Sequence, residues 1–209
     1  MRKGRRAWHG WLGTMLAVFF LAVAPRGQTA ELRVGLEIGP TSIDPHFHNF
    51  NRDPGQTLKP GLALSWAAVD PTTWEFRLRP GVRFSDGTPF TADDVAFTIG
   101  RAATVQGSPS SFAFYLRPIA RVTVVDPLTV RFATAAPFPL LPAYLSVVPI
   151  VSRRHGEGAT TEDYNSGRAA IGTGPYRFTS WVPQEQVALE RNPAYWGGSP
   201  SWDRVVFRT

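Results

Sequence analysis

Between Thr73 and Arg79 the chain alternates residue by residue, with Trp74, Phe76 and Leu78 on one side and Glu75, Arg77 and Arg79 on the other. A period of two marks a strand with one buried face. Before it, Leu62 to Val69 is an apolar run closed by Asp70-Pro71, since a proline drives its predecessor out of helical geometry. Pro80-Gly81 turns the chain, Val82 and Phe84 continue an extended segment, and Ser85-Asp86-Gly87 turns it again. The period then changes. Val95, Phe97, Ile99 and Ala102 follow Thr91, and the spacing Thr91-x-x-Asp94 spells a capping box. Asp93 and Asp94 also suit the positive end of a helix.

The same reading extends to both sides. Leu32, Val34 and Leu36 alternate as a short strand that Gly39-Pro40 breaks. Arg121 to Val125 and Thr129 to Ala133 form a hairpin across Asp126-Pro127-Leu128, and Tyr176 to Trp181 pairs with Val187 to Glu190 across Val182-Pro183-Gln184. The prolines between Ala136 and Pro142 exclude one continuous helix, leaving room for a short turn near Leu140. Val147 to Val151 reads as an apolar strand, Ser152 as the cap of a brief helix, and Glu157 to Ala170 as a polar surface excursion. Asn192 to Gly198 is a turn whose aromatics cover a sheet end, and Arg204 to Arg208 is a last strand. Hairpins with a single long helix predict a mixed α/β (α+β) fold of mostly antiparallel strands, not a doubly wound parallel sheet.

Charge changes the picture only at the start. The 209 residues carry a formal +6, which by itself suggests nucleic acid or anionic lipid. Arg2, Lys3, Arg5, Arg6 and Arg26 all precede Glu31; without them 17 basic residues face 16 acidic ones. No basic patch remains to bind nucleic acid. The first thirty residues have the layout of a secretory signal: a basic start to Arg6, an apolar stretch from Trp11 to Ala24, then small and polar residues to Ala30. The apolar stretch is shorter than the roughly 20 residues of a spanning helix. The expectation is a signal peptide over 1–30 and no stable membrane insertion after its removal, with an uncleaved anchor as the alternative. Cysteine is absent, which rules out disulfides, thiolate nucleophiles and zinc–thiolate sites.

Candidate chemistry is sparse. Asp44, His46 and His48 could hold a metal, since an H-x-H pair on a strand points both rings to one face; a loop with surface histidines is the alternative. Gly172-Thr173-Gly174 lacks the further glycine, the Lys-Ser/Thr pair and the helix of a phosphate loop. No G-x-S-x-G elbow, H-E-x-x-H or Walker loop occurs, so nothing positive argues for an enzyme, and no cofactor is expected.

Three longer strings carry a resemblance. PGLALSW, then WEFRLRPGVRFSDGTPFTADDVAFTI, then GTGPYRFTSW with LERNPAYWGG resemble, in order, the extracytoplasmic solute-binding proteins of family 5, receptors of ABC importers for peptides, nickel or glutathione. The likeness runs from Leu32 to Arg208. It implies a periplasmic binding protein-like class II fold, here the N-terminal lobe only, over 31–209. It implies a small peptide or similar solute as ligand and an inner-membrane ABC permease as partner. Ile43-Asp44-Pro45-His46 is similar to the family's LDPH segment, which leads to the ligand cleft, so Phe47, His48, Asn49 and Phe50 are candidate ligand-binding residues. Tyr115 is another, with aromatic core filling as the alternative. One departure stands out. Family members carry a helix of roughly 20 residues between that segment and the PGLA strand, and here the chain passes straight through Asn51. The expectation is a receptor portion with impaired binding; a non-functional remnant, or a secreted metal-dependent hydrolase using Asp44, His46 and His48, are the alternatives.

Overall fold

The structure is a computed structural model describing residues 29–35, 42, 43, 45, 58–108 and 111–209. In chain order its elements are β1 (Glu31–Gly35), β2 (Ala63–Asp70), β3 (Thr73–Leu78), α1 (Ala92–Ala102), α2 (Ala113–Leu116), β4 (Ile119–Asp126), β5 (Thr129–Thr134), α3 (Leu141–Leu145), α4 (Arg153–Gly156), α5 (Thr161–Asn165), β6 (Tyr176–Val182), β7 (Gln186–Arg191) and β8 (Arg204–Arg208).

The alternation in β3 does what its period requires. Phe76 and Leu78 are buried while Arg77 faces solvent. β3 lies inside a four-stranded antiparallel sheet of order β2-β3-β5-β4. Its partner β5 buries Val130 and Phe132, and the Phe76 and Phe132 rings meet edge-on at 5.3 Å across the ladder. Burying each of these aromatics stabilises the sheet by about 1.5–3 kcal/mol. α1 lays Val95, Ile99 and Ala102 on the same core, and Val82, Phe84 and Phe90 close it from the turn before the helix. The capping box forms as the spacing predicts, with Asp94 Oδ2 accepting from the Thr91 amide at 2.9 Å.

The second sheet has the order β1-β8-β7-β6. Its β6–β7 and β7–β8 pairs are antiparallel, while β1 joins β8 in parallel, Glu31 opposite Arg204 and Gly35 opposite Arg208. The turn after β7 ties the sheets together. Asn192 is buried, donating to the Gly174 carbonyl at 2.7 Å and accepting from the Ala194 amide at 3.0 Å. Four residues on, Trp196 packs against the first sheet's core, with the Arg79 guanidinium 4.5 Å from its ring centre.

Three local expectations need correction. Val147 to Val151 is not a strand: Pro149 has no amide to donate to a ladder, and the neighbouring amides find other partners. Val148 donates to the Leu145 carbonyl, and Val151 donates to the Thr98 hydroxyl of α1 at 3.1 Å. Ser152 does precede α4, yet its side chain makes no capping bond; Asp94 Oδ1 accepts from the Arg153 amide at 2.9 Å instead. Finally, 157–170 is no mere excursion. It contains α5, started by a Thr160–Asp163 capping box, and it buries Tyr164 and Ala169 in a small cluster with Val151 and Phe97.

Candidate functional site

The candidate binding residue Tyr115 sits on α2, a single turn whose orientation is set by burial at both ends. Phe112 and Leu116 enter the core, Tyr115 packs half-buried against it, and Phe114 turns out to solvent. α3 packs against α2 and supplies Tyr144, whose ring meets Tyr115 at 5.3 Å and Phe138 at 5.0 Å. Phe114 completes the group, 5.4 Å from Tyr115 and 6.0 Å from Tyr144. Four aromatic rings thus share one corner of the first sheet's lobe. Phe114 stays 66% exposed and nearby Leu140 is 57% exposed, so this corner presents apolar surface to solvent.

Phe47, His48, Asn49 and Phe50 lie outside the described residues, as do Asp44 and His46. The chain around them is anchored from α5. Asn165 Oδ1 accepts both the Ser42 hydroxyl at 2.8 Å and the Ile43 amide at 3.0 Å. Ile43 and Pro45 border a cavity of about 270 Å³ whose other walls include Tyr164, Phe178 and Leu189. Among the described residues no group of three or more His, Cys, Asp or Glu side chains is placed to hold a metal.

Sequence reasoning missed Asn165, Phe138 and Tyr144. A signal existed for Asn165: Thr160-x-x-Asp163 is the same capping spelling as Thr91-x-x-Asp94, and it starts the helix that carries the anchor. Phe138 and Tyr144 lay within and beside a proline-rich run, where no periodicity marks a face.

Near this lobe Asp86 Oδ2 lies 2.7 Å from His155 Nε2. The contact ties the Ser85-Asp86-Gly87 turn to α4. Partial burial opposes ionisation of Asp86, but the Thr88 hydroxyl and amide, with His155, outweigh it and hold the carboxyl at about 2. Asp163 is also held at about 2, first by Arg168 and then by the Thr160 amide and hydroxyl it caps. Both carboxylates serve turns and caps.

Comparison with known proteins gives a consistent set of matches. The family described as bacterial extracellular solute-binding proteins, family 5, matches residues 57–209. The glutathione-binding protein GsiB of Salmonella paratyphi A is 26% identical over 223 residues, covering 96% of this chain and 42% of that protein. Its Escherichia coli K12 counterpart is 29% identical over 163 residues, covering 76% of this chain and 31% of that protein. Among solved structures, NikZ from Campylobacter jejuni, in complex with Ni(L-His), superposes with a TM-score of 0.72 at 25% identity, covering 87% of this chain and 39% of that one. The chain therefore spans between about a third and two-fifths of the length of these relatives.

Proposed function

Because the chain belongs to the bacterial extracellular solute-binding proteins of family 5, we propose that it contributes one wall of a receptor that captures a peptide or similar solute outside the inner membrane and presents it to an ABC permease. The observation that carries this reading is the family match over 57–209. The aromatic corner supports it locally: Tyr115, backed by Tyr144 and flanked by exposed Phe114, offers rings on which an apolar side chain or a peptide plane can stack. Phe47, His48, Asn49 and Phe50 complete the proposed wall, entered from the Ser42–Ile43 segment that Asn165 fixes. The ligands of these relatives, glutathione and a nickel–histidine complex, set the size class of solute. Catalysis is not part of this reading.

One wall alone binds weakly. It leaves the ligand's charged ends in water, where an exposed ion pair contributes only about 0–1 kcal/mol. Against that stand roughly 4–15 kcal/mol of lost translational and rotational freedom. The mature chain by itself is expected to bind di- and tripeptides or glutathione no more tightly than about millimolar, or about −4 kcal/mol. A chimera that continues this chain with the remaining part of the E. coli glutathione-binding protein is expected to reach micromolar affinity, at least tenfold weaker with Tyr115→Ala. Titration calorimetry reads both. A chimera that folds yet binds no peptide or glutathione overturns the receptor reading, and micromolar single-site heat from the chain alone overturns the one-wall reading.

A further inference from the structure

The first sheet repeats itself. Val69-Asp70-Pro71-x-Thr73-x-x-Phe76 returns as Val125-Asp126-Pro127-x-Thr129-x-x-Phe132, each residue with its counterpart 56 positions on. The pairing repeats with it. In the β2–β3 hairpin Trp66 faces Phe76, Ala67 faces Glu75 and Asp70 faces Thr73. In the β4–β5 hairpin Val122 faces Phe132, Thr123 faces Arg131 and Asp126 faces Thr129. The register shifts fall at matching places, after Ala63 and Ala68 in one hairpin and after Ile119 and Val124 in the other. Asp70 Oδ1 accepts the Thr72 amide and Asp126 Oδ1 accepts the Leu128 amide, both at 2.8 Å.

Two similar hairpins need not meet symmetrically, but these do. β3 and β5 join antiparallel by their inner edges, with Thr73 opposite Ala133 and Arg77 opposite Thr129. Between them Trp74 is opposite Phe132 and Phe76 is opposite Val130. Leu78 donates to the Leu128 carbonyl and Thr134 to the Thr72 carbonyl, both at 2.8 Å. The shift of 56 positions converts each of these contacts into its partner contact. A two-fold axis therefore runs through the sheet at Glu75 and Arg131, the one pair that is its own counterpart. A two-fold contact is self-complementary, so an edge that fits its relative in the same chain also fits the same edge of a second copy.

The axis decides between the two. A second copy's β3 laid on β3 in this register sets Trp74 against Phe76, much as Trp74 now meets Phe132, but it also sets Glu75 against Glu75. Two β5 strands likewise set Arg131 against Arg131. In the chain's own sheet opposite charges meet there. Arg131 Nε and Nη2 each lie 2.8 Å from Glu75 Oε2, and Arg77 Nη2 lies 2.8 Å from Oε1. The Arg131 hydrogen bond, ahead of the charge of Arg77, holds the Glu75 carboxyl below its ordinary value, so it is ionised at neutral pH.

We propose that the inner edges of the two hairpins form a self-complementary interface whose alternative partner is a second copy of this chain, and that Glu75 and Arg131 on its axis direct each hairpin to the other in its own chain. Like charges directly opposite on neighbouring strands destabilise a sheet and unlike charges stabilise it. The pair thus favours the intramolecular sheet and opposes both exchanged ones. Arg77 stands beside Glu75 on the same strand in either arrangement and does not discriminate.

The test refolds the purified mature chain and its variants over a range of concentrations and reads mass by size-exclusion chromatography with light scattering. Glu75→Arg places arginine opposite Arg131, and Arg131→Glu places glutamate opposite Glu75; refolded alone, each should lose most of its folded monomer. Refolded together in equal amounts, they should recover folded protein as a mixed dimer, because every unlike pairing now lies between chains. Both reversals in one chain should restore the monomer. Glu75→Thr with Arg131→Thr removes the choice, and its dimer fraction should rise with concentration to at least about threefold that of the unmodified chain. Where a denatured chain does not refold, the two single variants are co-expressed with different tags, and one should capture the other at least about threefold above two unmodified copies. A mixture that recovers or captures no more than its controls overturns the proposal. So does a double-threonine variant as monomeric as the unmodified chain, a doubly reversed chain that behaves like the single variants, or an unmodified chain that is itself a dimer.

Discussion

At the scale of single residues, Asp94 carries more than its position in a helix start suggests. One carboxylate oxygen caps α1 and the other accepts the first amide of α4, so a single buried side chain joins two elements 59 residues apart. Removing it costs the cap, about 0.5–2 kcal/mol, and strands the Arg153 amide at a further cost of about 1–3 kcal/mol. Asp94→Ala is expected to lower stability by about 2–3 kcal/mol, measured by urea unfolding of the mature chain, whereas Asp93→Ala, at a 58% exposed side chain, should cost under about 0.5 kcal/mol. Equal losses from the two would show that the bridge contributes nothing. The Thr91–Asp94 cap was legible in the sequence because capping is local. The bond to Arg153 was not, because nothing in the spacing of Asp94 and Arg153 encodes their meeting.

At the scale of elements, strands and hairpins announced themselves by alternation and turn chemistry, and α1 by its cap. What escaped was whatever tertiary contact decides. Val147 to Val151 has strand composition, yet Pro149 and the Thr98 hydroxyl make it an irregular segment against α1 rather than a strand. Trp196 reads as a cover for a sheet end, but which sheet it packs on, the first, beside Arg79, is a tertiary contact. The candidate site divides the same way. Tyr115 was visible as an aromatic near a loop, while its partner Tyr144, and Phe138 packed on Tyr144 in turn, arrive from in and beside a proline-rich run 23 to 29 residues along the chain. The link between the 85–87 turn and α4 belongs to this scale too. Asp86 is held below its ordinary value, so its contribution is complete above about pH 4 and is lost as pH falls towards 2. Discounted for partial solvent screening, it is worth about 1 kcal/mol. Asp86→Asn should therefore destabilise by about that amount at neutral pH, and the difference from the unmodified chain should shrink as pH falls through 4 to 2. A difference that is flat with pH would assign the loss to packing.

At the scale of the whole molecule, the match over 57–209 places the chain among family 5 solute-binding proteins, as its three long strings suggest, and its described residues build two four-stranded sheets with α1 packed against the first. Among the described residues no helix is long and apolar enough to cross a membrane. With the basic residues of the first thirty positions set apart, 17 basic residues face 16 acidic ones. We expect export with removal of that leader and a nearly neutral mature protein. Cell fractionation with N-terminal sequencing checks this, and a cytoplasmic product that retains Met1 refutes it.

The parallel pairing of β1 with β8 has a consequence for the order of events in folding. Every strand of the first sheet lies between Ala63 and Thr134 and pairs largely through hairpins, so its loops are short to close. β1 meets its partner only across 173 residues, with Ala30 and Asp203 exchanging backbone and side-chain bonds at the junction. Contacts of such separation form late, because the loop must close before the pairing stabilises it. Pulse-labelled amides of Leu32 and Val34 should thus gain protection after those of Phe76 and Phe132. A protease present during refolding should meet residues 31–35 as accessible chain long after the first lobe resists it.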